Sequence, residues 1–375
     1  MDFILPAAGL VVIVVYSLFF LKLALFFKKE TNLSSGKSTI DSATVIVPFR
    51  NETENILHCL NALKKQKCDS FRWEVVLVND HSEDDSVQKI NHFISENNLD
   101  STYRVVSLSA NEKGKKTALK KAIMLANGEL IITTDADCVF TEQWLNELVK
   151  AFTPNTHFVF APVLYQNEKT FFHVFFSLEF LTMMCAGIAM ANCQKPVYCN
   201  AANMAFRKES YLKIENKITG NQSASGDDVF TLHAFAVHYP EGTKALKIEE
   251  SVVYTNIPCT LKEILHQRLR WASKSVYYKN ISVHYMMLLI GVTNILLLLM
   301  LLWSIFTYKR IGLCLIIFAI KCGIDYCFIF LGAKQMKKTK LLKVFLPSFI
   351  IYPFYLFVLL LLNFVMPVYW KGRKI

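Results

Sequence analysis

The chain has 375 residues, 53% of them apolar and 19% charged, with a formal net charge of +11. That length leaves room for two or three domains, and the apolar excess excludes a disordered chain and points to a membrane. The basic residues gather beside apolar segments, which fits an anionic lipid surface and excludes nucleic acid as the expected partner.

Residues 3–27 hold a single charge, Lys22, and Lys28 and Lys29 follow. At ~1.5 Å per residue this stretch crosses a hydrocarbon core of ~30 Å. A secretory signal peptide carries its basic residues before a shorter apolar core, so residues 1–28 read as an uncleaved transmembrane anchor. The positive-inside rule then puts the following segment in the cytoplasm of a cell's inner membrane.

From residue 40 to about 280 the composition is that of a water-exposed domain. "ATVIVPFRNETENILHCLNALKKQ" reads as strand, Pro-containing turn and amphipathic helix, with Ile56, Leu60 and Leu63 on one face. "WEVVLVNDHSEDDSVQKINHFI" repeats that order, its strand ending at Asp80, and "TYRVVSLS" is a third strand. "KGKKTALKKAIMLANG" is a helix with Gly128 as its stop signal, leading into the strand of "GELIITTDADCVF". Alternating strands and helices imply an α/β, mostly parallel Rossmann-like sheet covered by helices, whose ligands bind beyond the carboxyl ends of the strands. Pro48, Asp80 and Asp135 fall at those ends.

Asp135 and Asp137 point the same way in an extended triplet. Unpaired they repel, and Mg²⁺ or Mn²⁺ would relieve that while keeping positions open for phosphate oxygens. The alternative is a solvated acidic turn with Asp137 or Thr141 as helix N-cap. For Asp80 the alternative is an Asx-turn before Ser82. In "SASGDDVFTLHAF", Asp227 and Asp228 precede an apolar helix, which suits either first-turn acids or a proton acceptor.

"FFHVFFSLEFLTMMCAGIAMANC" is apolar enough to span a membrane, but a crossing there would put Asp228 opposite Asp137. Residues 171–191 are therefore expected to be a lipid-facing amphipathic helix in the interface, with Glu179 and His173 facing the acceptor channel and His173 as a polar-face or buried hydrogen-bonded residue rather than a ligand. "ILHQRLRWASK" places Gln267, Arg270 and Trp271 within one helical turn, with Arg268 projecting elsewhere. Such a group can hold a leaving diphosphate and a sugar, or can anchor a helix at the membrane surface. Residues 281–375 form a C-terminal membrane region of two to three helices: 283–306, 311–332 with Lys321 and Asp325 paired at i, i+4, and 344–370, interrupted by Pro347 and Pro353 and left without an assigned topology. The ten cysteines form no C-x-x-C pair and are expected reduced and unligated.

The segments "VIVPFRNE", "VLVNDHSEDDS", "GKKTAL", "TTDADC", "CNAANMAFRK", "SGDDVF" and "QRLRW" occur in that order between Thr44 and Trp271. In this the chain resembles the family 2 glycosyltransferases, inverting enzymes of GT-A fold that use nucleotide-diphosphate sugars. It looks closest to their membrane-anchored Q-x-x-R-W branch, which includes ceramide glucosyltransferases, hyaluronan synthases and poly-N-acetylglucosamine synthases. The resemblance implies that Asp80 and the turn from Pro48 to Glu52 hold the nucleoside, with Lys115 near it or its phosphates. It implies that Asp135 and Asp137 complete the donor site with Asp137 as metal ligand, that Asp228 is the base, and that Asp227 supports it where glutamate is common. It further implies an acceptor against Asn200 and Asn203, and Gln267, Arg270 and Trp271 at the donor. The expected partners are thus a nucleotide-sugar donor, a lipid or glycan acceptor and membrane lipids. Transfer of one sugar to a lipid, processive polysaccharide synthesis, and a non-catalytic membrane scaffold or transporter subunit are the readings to separate.

Overall fold

The computed structural model describes residues 4–29, 38–68, 70–220, 226–307, 311–366, 369–370 and 373–374. In chain order its principal elements are α1 (Ile4–Lys28), β1 (Ser42–Phe49), α2 (Ile56–Lys64), β2 (Arg72–Asn79), α3 (Ser86–Glu96), β3 (Tyr103–Ser107), α4 (Lys115–Leu125), β4 (Leu130–Thr133), β5 (Cys138–Phe140), α5 (Trp144–Lys150), β6 (Phe158–Phe160) and β7 (Val163–Gln166). There follow α6 (Phe171–Asn192), β8 (Met204–Arg207), α7 (Lys208–Ile214), α8 (Asp227–His238), β9 (Thr243–Ala245), β10 (Val253–Asn256), α9 (Leu261–Ser273), α10 (Ile281–Thr307), α11 (Ile311–Gln335) and α12 (Phe345–Val365). Two compact units form, one of residues 31–167 and 194–256 and the other of residues 1–30, 168–193 and 257–375.

The first unit is built on a seven-stranded sheet in the order β3-β2-β1-β4-β8-β6-β9. Strands β3, β2, β1 and β4 are parallel, β8 runs antiparallel to β4 and β6, and β9 is parallel to β6. This is the GT-A form of a Rossmann-like sheet. Val45, Ile46 and Val47 on β1 and Val75 to Val78 on β2 are wholly buried, as a central parallel sheet covered on both faces requires. The register aligns the carboxyl ends: Phe49 pairs Asn79, Thr133 pairs Ile46, and the Asp80 and Thr134 amides donate to Phe49 and Ile46 at 2.9 and 3.1 Å. A second sheet, β5-β10-β7, supports the segment just after the D-x-D triplet.

Helix α4 ends at Leu125, so Gly128 is not its stop signal. A Cβ at Gly128 would collide with the backbone of Ala43 and Thr44 on β1. The glycine is needed for close approach of the chain to β1 as β4 begins.

Among the described residues of the second unit, five helices are long and apolar enough to span a membrane. Helix α1 runs parallel to α11: Gly9 lies against Ile317, Tyr16 donates to Asp325 at 2.6 Å, and Phe20 and Phe27 pack on Phe328. Helix α10 opposes α1, with Met300 beside Gly9 and Tyr285 beside Phe19. Helix α12 opposes α11 through Tyr326 with Phe345 and Phe318 with Phe349. The C-terminal apolar stretch is thus one helix from Phe345 to Val365, with Pro353 inside it.

Helix α6 differs from the expectation of a lipid-facing amphipathic helix. Most of its side chains are buried. Asn192 Nδ2 donates to the Phe26 carbonyl at 3.0 Å and Cys185 packs against Gly332, both near the C-terminal ends of α1 and α11. A helix apolar all round has no face suited to water and is covered by protein. His173 bonds its own helix start and the Cys259 carbonyl. All ten cysteines are free.

Candidate active site

Three aligned strand ends place the donor-side residues. Pro48, which has no N–H, lies near the end of β1 beyond its pairing with β4. The turn after it is tied to the loop after β2: the Asn51 amide donates to Ser82 Oγ at 3.0 Å, the Glu52 amide to Ser86 Oγ at 2.8 Å, and the Thr53 amide to Asp84 at 3.0 Å. Asn55 Nδ2 donates to the Glu52 carboxylate at 3.1 Å.

Asp80 is buried, and its Oδ2 accepts from the Gly114 amide at 3.2 Å. The turn before Ser82 is held by Asn79 instead, whose Oδ1 accepts from the Ser82 amide three residues on at 2.8 Å. Asp80 is thereby directed to the glycine-led start of α4, where Gly114 has φ of 92°.

Lys115 opens α4 and ion-pairs with Asp135. Burial alone would depress its ammonium, but the carboxylates of Asp135, Asp227 and Asp228 together hold it above the usual lysine value. One cation therefore feels both the D-x-D triplet and the acids that open α8. Burial drives Asp137 up to about 6, with repulsion from Asp135 and then Glu52 adding to it, against a hydrogen bond from Thr255 and the charge of Lys115. The alternative role of Asp137 as N-cap is not adopted, because α5 starts after Gln143.

Asp227 and Asp228 are the first residues of α8, whose N-cap Gly226 takes φ of 102°. Lys116 Nζ lies 3.9 Å from Asp227, donates to the Gly220 carbonyl at 2.6 Å and sits over the Phe230 ring. Asp228 Oδ1 accepts from the Val229 amide at 2.8 Å, and its Oδ2 accepts from the Ala201 amide at 3.3 Å. The Ala201 carbonyl in turn accepts from Thr133 Oγ1 at 2.5 Å. A single residue thus connects Asp228 to the end of β4, two positions before Asp135.

Asn200 caps this link by accepting from the Ala202 amide at 3.0 Å. Asn203 corrects the sequence expectation of an acceptor contact. It is wholly buried, its amide donates to the Pro162 and Ser251 carbonyls at 2.8 Å each, and its oxygen accepts from Trp144 Nε1 at 3.0 Å. Its hydrogen-bonding capacity is committed to the core, where β6, β8 and β10 come together.

In the helical unit, α9 begins with a capping box between Thr260 and Glu263 and carries Gln267, Arg270 and Trp271. Arg268 does not project away from this group. It is buried, donates through Nε to Glu179 at 2.8 Å and through Nη1 to Gln267 at 2.9 Å, and its guanidinium lies 4.4 Å from the centre of the Trp271 ring. Tyr355 also donates to Glu179 at 3.2 Å. Lys116 and Thr255 are residues that sequence reasoning misses, and of Glu179 and Arg268 it misses the pairing. Only Lys116 had a local signal, the twin lysine of "GKKTAL".

Among the described residues no three His, Cys, Asp or Glu side chains converge as a closed metal cage. The two carboxylates of the triplet, crowded by Glu52, instead suit a hard cation held by one or two protein oxygens together with substrate phosphates.

The family model described as "Glycosyl transferase family 2" matches residues 44–215, and that described as "Glycosyl transferase family group 2" matches residues 130–369. The chain belongs to the family 2 glycosyltransferases. It is similar to an N-acetylglucosaminyltransferase of Bradyrhizobium diazoefficiens, 24% identical over 64% of this chain and 50% of that one. Glycosyltransferase AglE of Haloferax volcanii is 30% identical over 29% of this chain and 34% of its own length. The chain thus spans a third to a half of the length of those curated relatives. A mannosyltransferase from Pyrobaculum calidifontis, solved in complex with GDP-Man and Mn²⁺, shares the fold at a TM-score of 0.61 and 19% identity, over 96% of this chain and 97% of that one.

Proposed function

We propose that this glycosyltransferase moves a sugar, with inversion, from a UDP-sugar to a hydroxyl of a membrane lipid on the cytoplasmic face of a cell's inner membrane. The observation that carries the reading is geometric: adjacent lysines at the start of α4 reach the two acid groups, Lys115 pairing with Asp135 and Lys116 lying 3.9 Å from Asp227, which supports donor-side and acceptor-side acids serving one site. In this reading Asp80 and the turn from Pro48 to Glu52 bind the nucleoside. Asp137, with Asp135, would hold a divalent cation, Mg²⁺ or Mn²⁺, which when bound would neutralise charge on the diphosphate.

Asp228 accepts the proton of the acceptor hydroxyl as that oxygen bonds to the anomeric carbon. The bond from that carbon to the diphosphate oxygen breaks, and its electron pair leaves with the nucleoside diphosphate, whose charge Lys115 meets. Asn200 keeps the Ala201 amide on Asp228. Asp227 with Lys116 steadies the start of α8. Gln267, Arg270 and Trp271 take their part from the family pattern, as contacts to the leaving group and sugar.

Lysine-rich ends of α1 and α11 support the cytoplasmic orientation, since both run the same way and both carry basic residues beyond their last turns. Membranes containing the protein, supplied with a panel of labelled UDP- and GDP-sugars, are expected to yield one discrete labelled glycolipid from a UDP-sugar. A ladder of polymer would replace single transfer by processive synthesis. No turnover of any donor would leave a non-catalytic membrane subunit.

A further inference from the structure

The Asp137 carboxylate is contacted at both oxygens by one cross-strand pair. Thr255 on β10 and Cys138 on β5 are direct partners in the antiparallel register. Thr255 Oγ1 donates to Asp137 Oδ2 at 3.0 Å, while Cys138 Sγ approaches Oδ1 at 3.6 Å. Strand β10 is itself fixed from its other side, where Thr255 pairs Tyr165 of the buried β7. Behind the triplet the wholly buried Cys59 thiol meets the Asp135 carbonyl at 3.6 Å. The carboxylate therefore stands against a rigid, three-stranded support.

We propose that Thr255 is a positioning residue for the cation site: its hydroxyl fixes the plane of the Asp137 carboxylate. This rests on the reading that Asp137 binds the cation. A hydroxyl donating to a carboxylate makes a charge-assisted bond, stronger and more directional than the weak S–H contact from Cys138. With Oδ2 held by Thr255, rotation of the carboxylate about its Cβ–Cγ bond is restrained, and its remaining lone pairs keep a fixed direction. Outer partners of this kind orient metal ligands, and their loss typically weakens metal binding by about 10–100-fold. Threonine suits the place doubly, since its β-branch favours the strand while its hydroxyl reaches across.

The test is Mn²⁺ binding to the full chain in detergent, with UDP present, followed by loss of the free-ion electron paramagnetic resonance signal. Thr255→Val should weaken Mn²⁺ binding by about 10–100-fold, with Thr255→Ala giving the same loss should the valine variant not fold, and Thr255→Ser should restore wild-type affinity. Asp137→Asn in the same assay separates the two levels of the argument. If Asp137→Asn abolishes binding and the threonine removals leave it unchanged, the positioning role is overturned. If Asp137→Asn itself binds Mn²⁺ like wild type, the cation reading falls, and the role of Thr255 with it.

Discussion

Asp228→Asn should abolish most sugar transfer, lowering kcat by about 10²–10⁴-fold, while the protein folds normally and still binds donor and cation. The substitution keeps the size of the side chain but removes its capacity to take a proton. Its bonds to the Ala201 and Val229 amides are accepted by oxygens, and an amide retains only one oxygen, so a local adjustment at Ala201 is the largest structural change expected. Asp137→Ala should lower transfer comparably for a different reason. It removes a carboxylate that burial, Asp135 and Glu52 hold at about 6, and with it the cation affinity. Isothermal titration with donor distinguishes the two: Asp228→Asn binds and does not turn over, whereas Asp137→Ala loses cation-dependent donor binding. Full transfer by either variant would remove that residue from the chemistry.

Arg268→Ala should destabilise the helical unit by about 3–5 kcal/mol. The guanidinium is 3% exposed and its partner Glu179 11%, and the pair is enclosed by the rings of Phe176, Phe180 and Trp271. Deleting the arginine leaves the Glu179 carboxylate buried, with the Tyr355 hydroxyl as its remaining hydrogen-bond donor among the described residues. It also frees Gln267 and the Trp271 ring from the group that braces them. A shape-matched double replacement, Arg268→Met with Glu179→Leu, should recover most of the loss, because two apolar side chains need no charge compensation. Thermal unfolding in detergent reads both. A single variant as stable as wild type would show that the pair carries no structural weight.

The half of the sheet that reads as strand, turn and helix from residue 44 to 140 is legible because each buried parallel strand is a run of Val, Ile and Leu ended by a turn signal. The same pattern exposes Asp80 and Asp135 at the carboxyl ends. Past residue 140 the signal fades. Strands β6 and β9 have three residues each, too few for any period to register, and the antiparallel insertion of β8 leaves no mark in local sequence. Thr255 escapes notice because it meets Asp137 across 118 positions, and Arg268 because it meets Glu179 across 89. Asn203 misleads in the opposite direction: a polar residue in a motif-bearing segment is taken for a ligand contact when its amide is committed to the core. Helix α6 reads as lipid-facing because nothing in its sequence signals that protein covers it. Composition shows that a helix is apolar, but not which surface receives it.

The central claim is that Asp137 and Asp228 act on the two ends of one glycosyl transfer. An experimental structure of the full chain with Mn²⁺ and a nucleoside diphosphate tests it most directly, with anomalous scattering locating the ion. The account predicts the ion against Asp137, with the Asp228 carboxylate on the same side of the sheet and placed so that an acceptor hydroxyl in hydrogen-bonding reach of it can attack the sugar on the bound diphosphate. An ion bound away from Asp137, or Asp228 facing away from the diphosphate, would contradict it.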